Sequence, residues 1–352
     1  MNAYIRLSRK PVIWCGAALC LAGVFAAYRH ATPQTSEPVV ELAGSTMGTF
    51  YTVKLIDPPL SVDLESLEEE VRDQLAEIDV LMSTYRSDSE ISRLNRSDHV
   101  DWLDVSQETA LVVSLALEVG RLTDGAFDIT AGPLVNLWNF GPEQSDADRV
   151  PSPDEITVAK EQVGWELLEV RRSPPAVKKK QGDIQVDLSA IAKGFAVDRI
   201  AEYLEGLGTQ NYLVEIGGEL RALGHNAQGK PWQVAIESPL AGIRAIHRVL
   251  GCDGLAMATS GDYRNFFKED GKQYSHIIDP RLGHPVSHDL VSVTVLDPSC
   301  ARADALATAL MVLGPDVGYE LALEKKLTVL LIVERNGELV EKATPSFRSL
   351  LQ

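Results

Sequence analysis

The sequence predicts an α+β fold, more helical in its N-terminal third and strand-rich after it. Three observations carry that reading. Leu64, Leu67, Val71, Leu75, Ile78 and Met82 recur at helical spacing. After about residue 210 the chain breaks into short runs that alternate apolar and polar residues, such as Tyr212, Val214 and Ile216 closed by Gly217-Gly218. No internal repeat runs through either part.

The elements follow in order. Thr46–Leu55 ends in alternation and reads as a strand. A helix runs from about Ser61 to Thr84, and a second from Ser106, its cap, to Leu122, stopped by Asp124-Gly125. Residues 141–155, rich in proline and acids, read as a surface loop. Ile184, Val186 and Leu188 alternate as a strand that feeds a helix from about Ser189 to Leu207. Short strands are expected around residues 231–237, 246–250, 255–259, 273–278 and 290–296. Pro298-Ser299 opens a helix through Leu313, a further helix spans about 315–325, and a final hairpin pairs Thr328–Glu334 with Glu338–Lys342 across Asn336-Gly337.

Length and composition bound the answer. A chain of 352 residues, 45% hydrophobic and 24% charged, can bury a large globular core. The net charge of −17 repels phosphate backbones, so no nucleic-acid partner is expected. Arg6, Arg9 and Lys10 precede the apolar run Pro11–Ala27, and polar Thr32–Pro38 follows. Residues 1–30 therefore read as an export signal or short membrane anchor and 31–40 as a linker. The protein is expected in the periplasm, or facing it from the inner membrane, with cleavage near Ala26 and an uncleaved anchor both open. Val24 follows Leu21-Ala22-Gly23 where a lipobox needs cysteine, so lipidation is not expected. Cys252 and Cys300 lie outside this segment, and spacing does not say whether they meet.

Four constellations could carry chemistry. Asp187-Leu-Ser-Ala190-Ile-Ala-Lys193-Gly194 joins a strand to a helix N-terminus, where free N–H groups, the helix dipole and Lys193 attract phosphate. The same pattern suits a capping Asp187 and a solvated Lys193. Asp304 and Thr308 stand four apart on one helix face and offer hard oxygen donors of the kind Mg²⁺ takes, although a capped helix with one buried Asp reads the same way. His276, beside Asp279-Pro280, suits a general base or a hydrogen-bonded structural histidine. Ala258-Thr-Ser260-Gly261-Asp-Tyr263-Arg264 suits the rim of a polar ligand or a simple turn. Met47, Tyr85 and the Ala126-Phe127-Asp128 turn would suit a flat heteroaromatic ligand, Met and Tyr being core residues just as readily.

Taken in order, these segments resemble the FAD:protein FMN transferases, the ApbE family, over roughly residues 41–345. The matching pieces are Met47–Thr49, Met82–Arg86, Ser89–Asn95, Gly125–Thr130, Asp187–Gly194, Ile216–Gly218, Ala258–Gly261, Ser275–Pro280 and Ala303–Thr308. The resemblance implies a two-lobed flavin transferase fold with FAD, the substrate, in the cleft. It implies contacts to FAD from Met47, Tyr85, Ala126, Phe127, Asp128, Asp187, Lys193, His276 and Ile278. It implies Mg²⁺ held by Asp304, Thr308 and backbone oxygens of Ala190 and Ala307. The implied reaction passes FMN from FAD to a Thr or Ser hydroxyl of an exported or membrane-bound acceptor protein and releases AMP. His276 is the expected base and Asp304 the second catalytic residue. An FAD pyrophosphatase and a non-catalytic FAD-binding protein are the alternatives.

Overall fold

Eight strands form one antiparallel sheet, and their order across it is their order along the chain. They are β1 (Val39–Thr46), β2 (Thr49–Ile56), β3 (Tyr212–Ile216), β4 (Glu219–Leu223), β5 (Leu255–Gly261), β6 (Leu290–Asp297), β7 (Thr328–Arg335) and β8 (Glu338–Ala343). The computed structural model describes residues 37–142, 149–239, 245–261, 266–269 and 272–351. The expected export segment, part of the 141–155 loop and Asp262–Arg264 lie outside the described residues.

The first hairpin corrects the reading of Thr46–Leu55 as one strand. Met47 and Gly48 take φ of 48° and 72°. Positive φ at both central residues is the geometry of a tight two-residue hairpin turn. Thr46 therefore pairs with Thr49, and the strand before the turn is β1.

The long insertion between β2 and β3 holds most of the helices. Helix α1 (Leu64–Met82) buries Leu67, Val71, Leu75, Ile78 and Met82, the stripe expected from spacing. Asp63 caps it by accepting the Ser66 N–H at 3.0 Å. Helix α2 (Gln107–Leu122) starts after Ser106, whose Oγ accepts the Thr109 N–H at 3.1 Å. The 141–155 loop ends sooner than its composition suggests, because Ser152 and Glu155 form a capping box that starts a helix at Pro153. Residues 184–188 are not a strand. Ile184, Val186 and Leu188 are buried as their alternation requires, but Val186 pairs with the Asn95 side chain and the Asp187 N–H with the Ile129 carbonyl.

Two helices lie against each other on one face of the sheet: α3 (Ala192–Gly206) and α4 (Cys300–Leu313). Each caps the other. Asp198 of α3 accepts the Ser299 hydroxyl and the N–H groups of Cys300 and Ala301 at 2.8–3.0 Å. Asp304 of α4 accepts the Gly194 N–H, in the first turn of α3, at 3.1 Å. Helix N-termini leave such donors unpaired within the helix, and a carboxylate there also meets the positive end of the dipole. Gly194 permits the crossing, since a Cβ on it would sit 2.4 Å from the Cys300 carbonyl oxygen.

The sheet's alternation divides the core. Val53, Tyr212, Val214, Ala256, Ala258, Val293, Val295, Val329 and Leu331 pack with the helices. Leu220, Met257, Leu296, Leu330 and Ile332 point the other way, against Trp232, Val234, Ile236 and Phe347. The hairpin Trp232–Glu237/Ile246–Cys252 supplies most of that second cover. Cys252 and Cys300 are both free and buried.

Lys179 is fully buried in the helical insertion, and burial lowers its pKa. Its ammonium donates to the carbonyls of Leu94, Ser97 and Gly182. Lys179→Met would fill the space but leave three carbonyls without a donor. Each unpaired buried polar group costs about 1–3 kcal/mol, so a loss of roughly 3 kcal/mol is expected in urea unfolding. A change below about 1 kcal/mol would mean that water reaches the carbonyls.

Candidate active site

A cavity of about 550 Å³ opens where the start of α3, the middle of α4, the β3–β4 turn and the 126–132 and 276–280 segments meet. Eleven of the thirteen residues expected to contact FAD or Mg²⁺ line it: Tyr85, Ala126, Phe127, Asp128, Asp187, Ala190, Lys193, His276, Ile278, Asp304 and Thr308. Met47 and Ala307 do not. Met47 is half-buried in its hairpin turn, and Ala307 is buried within α4 between Asp304 and Thr308.

At the α3 end the structure separates two readings of Asp187. The helix begins at Ala192, so Asp187 does not cap it. Its carboxylate instead closes a local turn, accepting the Ser189 N–H at 2.9 Å and the Ser189 hydroxyl at 2.5 Å. Asp304 takes the capping role from across the helix pair, and this places its carboxylate against the first turn of α3 beside Lys193. Lys193 is only partly solvated. Its ammonium donates to Glu219 at 2.8 Å.

Glu219 is the functional candidate that sequence reading missed. It follows the Gly217-Gly218 turn, whose φ values of 63° and 108° call for glycine. A Cβ at Gly217 would also meet Thr49 at 2.9 Å. Glu219 is 4% exposed. An acid at a buried strand position immediately after a Gly-Gly turn was the available signal.

The partly exposed Lys193 and the buried Glu219 and Asp304 thus form a cluster of one cation and two acids. Burial and the Asp304 charge push Glu219 up, to about 7, against the pull of Lys193. Burial also raises Asp304, opposed by Lys193 and the Gly194 N–H. Burial alone would lower Lys193, but the two carboxylates outweigh it and its pKa is raised. A carboxyl raised from 4.5 to about 7 contributes stability below pH 4.5, and loses it as pH rises through 7. The ligand-free protein should therefore lose stability between about pH 5 and pH 8, and Glu219→Gln should flatten that slope in urea unfolding. An unchanged slope would show that the charge is solvated.

The remaining walls are more committed. Asp128 accepts from the Thr130 N–H and hydroxyl and from the Trp165 N–H, all at 2.7–2.8 Å. The N–H groups of Ala126 and Phe127 are bound by Thr123. This turn can therefore address a ligand only through its other backbone atoms. Asp279 is held by Arg281 at 2.7 and 2.9 Å. His276 is half-buried, and its ring meets that of Phe140 in an edge-type arrangement. Thr308 shares a 3.3 Å hydroxyl contact with Ser260, which lines the cavity with Thr259 and Gly261. Tyr85 is 73% exposed and belongs to the rim.

Among the described residues no group of three His, Cys, Asp or Glu side chains is placed to hold a metal. A cation here would rest on the Asp304 carboxylate and Thr308 hydroxyl, with substrate, water or backbone oxygens completing its shell. Mg²⁺ accepts such a sparse protein donor set together with phosphates.

A large antiparallel sheet backed by paired helices, with an ammonium and hard oxygen donors in one half-open cavity, defines a protein built for a phosphorylated ligand. The chain belongs to the ApbE family, whose model matches residues 47–331. Its sequence is 43% identical over 324 residues to the FAD:protein FMN transferase of Haemophilus influenzae, covering 91% of this chain and 93% of that one. It is 39% identical over 351 residues to the enzyme of the same name from Escherichia coli K12, covering 99% of each. The solved flavin transferase ApbE of Vibrio cholerae superposes with a TM-score of 0.83 at 44% identity, over 89% of this chain and 99% of that one. The apo flavinyl transferase ApbE of Pseudomonas stutzeri gives 0.81 at 39% identity, over 89% and 97%.

Proposed function

We infer that this protein is an FAD:protein FMN transferase. One observation carries the chemistry: Lys193, His276 and the Asp304/Thr308 pair, far apart in sequence, line one cavity. The names of its close relatives supply the substrate.

The acceptor is a Thr or Ser hydroxyl of an exported or membrane-bound protein, in keeping with the basic and apolar segment at the N-terminus. The hydroxyl oxygen bonds to the FMN-side phosphorus, the bond from that phosphorus to the bridging oxygen breaks, and AMP leaves with the bridging oxygen. Phosphoryl transfer of this kind depends on positioning and charge neutralisation more than on covalent help. Lys193 binds the pyrophosphate. Asp304, Thr308 and the backbone oxygens of Ala190 and Ala307 would hold Mg²⁺, which when bound supplies charge neutralisation at the phosphates. Tyr85 at the rim offers a ring face to the isoalloxazine. Met47 stands two residues before Thr49, which abuts the Gly217 turn, so its contact with flavin needs a ligand that reaches beyond the cavity wall.

His276 takes the proton from the acceptor hydroxyl. Imidazole is the side chain suited to accept a proton near neutral pH. His276→Ala should lower transfer by about a hundredfold and abolish the acid limb of the pH–rate profile. A variant with normal turnover at every pH would remove His276 from the mechanism.

The activity itself is tested by incubating FAD and Mg²⁺ with and without an acceptor fragment and following AMP. AMP that depends on the acceptor is the expected result. AMP and free FMN in equal amounts in both tubes would make the protein a pyrophosphatase. No AMP with FAD still bound would leave a flavin-binding protein.

A further inference from the structure

Glu219 has no role in the transfer just described, yet it is the least satisfied acid in the cavity. Its Oε1 is 2.8 Å from the Lys193 ammonium. Its Oε2 is buried and has no hydrogen-bond partner. Six buried side-chain atoms among the described residues lack a partner, and only this one belongs to a residue lining the cavity. Buried polar atoms are nearly always paired, and an orphan costs about 1–3 kcal/mol. Of the two capping acids in the helix pair, Asp198 accepts from two backbone N–H groups and a hydroxyl, and Asp304 accepts the Gly194 N–H.

We propose that Glu219 is a substrate-contacting residue whose Oε1 anchors Lys193 and whose Oε2 accepts a hydrogen bond from a substrate hydroxyl. The proposal rests on the FMN-transfer reading. The charges sort the partners. A carboxylate repels phosphate oxygens, so the pyrophosphate goes to the ammonium, which has three N–H donors and uses one on Glu219. What Oε2 can take is a neutral donor. FAD carries such hydroxyls on its polyol chain and sugar, and the acceptor protein brings one more.

Glu219→Gln in the full-length protein separates these sources. The ammonium only donates, so it selects the amide oxygen of Gln. The amide NH₂ then replaces Oε2, setting a donor against a donor. FAD is titrated in EDTA, read by flavin fluorescence, and acceptor-dependent AMP release is measured separately; thermal melting checks the fold. A rise of about tenfold or more in the FAD Kd would place the hydroxyl on FAD. An unchanged Kd with an acceptor-dependent rate lowered by about tenfold would place it on the acceptor. Either result supports the proposal. Values within about twofold of wild type in both assays would overturn it, as they are far below a tenfold loss. Glu219→Asp, which draws the carboxylate back by one methylene, is the second variant should Gln fail to fold. The same losses are expected, and wild-type values would again overturn the proposal. Wild-type protein that binds no FAD would refute the transferase reading instead, a different failure from a silent Glu219.

Discussion

Asp304→Asn should abolish most FMN transfer while leaving the fold intact. The substitution keeps an oxygen to accept the Gly194 N–H, so the cap on α3 survives. It removes the carboxylate charge on which a cation in the cavity depends. Charge stabilisation at a transferring phosphoryl group is worth several kcal/mol, so a loss of roughly a thousandfold in acceptor-dependent AMP release is expected. Asp304→Ala should lose the same activity and also the cap, costing about 1 kcal/mol more in unfolding experiments. The pair of variants separates chemistry from structure. Full activity in Asp304→Asn would remove the cation site from the account, whatever happened to stability.

Gly194→Ala should be strongly destabilising although it adds a single methyl. On an exposed helix Gly→Ala gains about 1 kcal/mol from propensity. Here the added Cβ would meet the Cys300 oxygen at 2.4 Å and the Ala301 Cα at 2.8 Å, both backbone atoms. Backbone cannot rotate away, so α3 and α4 must separate and the reciprocal Asp198 and Asp304 caps lengthen together. Overpacking of this kind costs about 1–3 kcal/mol, and a clash of backbone on backbone belongs at the upper end, above the propensity gain. Gly206, at the other end of α3, has nothing within 4 Å of its Cβ position. Gly206→Ala should therefore stabilise by about 1 kcal/mol and serves as the internal control. If both variants shifted the urea midpoint in the same direction, the helix crossing would not be as close as described.

Much of this architecture was legible because its signals are local. The α1 stripe, the Ser106 and Ser299 caps and the Asn336-Gly337 hairpin each depend on residues within a few positions of one another. What was misread depends on partners far along the chain. Residues 184–188 alternate like a strand, but their backbone partners are the Asn95 side chain and the Ile129 carbonyl. Asp187 looks like the cap of α3, yet Asp304, 110 positions beyond Gly194, supplies it. The site shows the same division. Asp304 and Thr308 are readable as one helix face, and Lys193 as a phosphate ligand near a helix start. For Glu219 the place after the Gly-Gly turn was the one local signal, and only the fold shows that this acid faces Lys193 rather than water.

The central claim is that this cavity moves FMN from FAD onto a protein hydroxyl. Its most direct test is the intact mass of an acceptor fragment carrying a flavinylation-type Ser/Thr segment, after incubation with this protein, FAD and Mg²⁺. The account predicts a gain of one FMN on the acceptor, lost with EDTA, with Asp304→Asn and with alanine at the acceptor hydroxyl. An acceptor of unchanged mass in a tube where FAD has been fully converted to AMP and free FMN would contradict it.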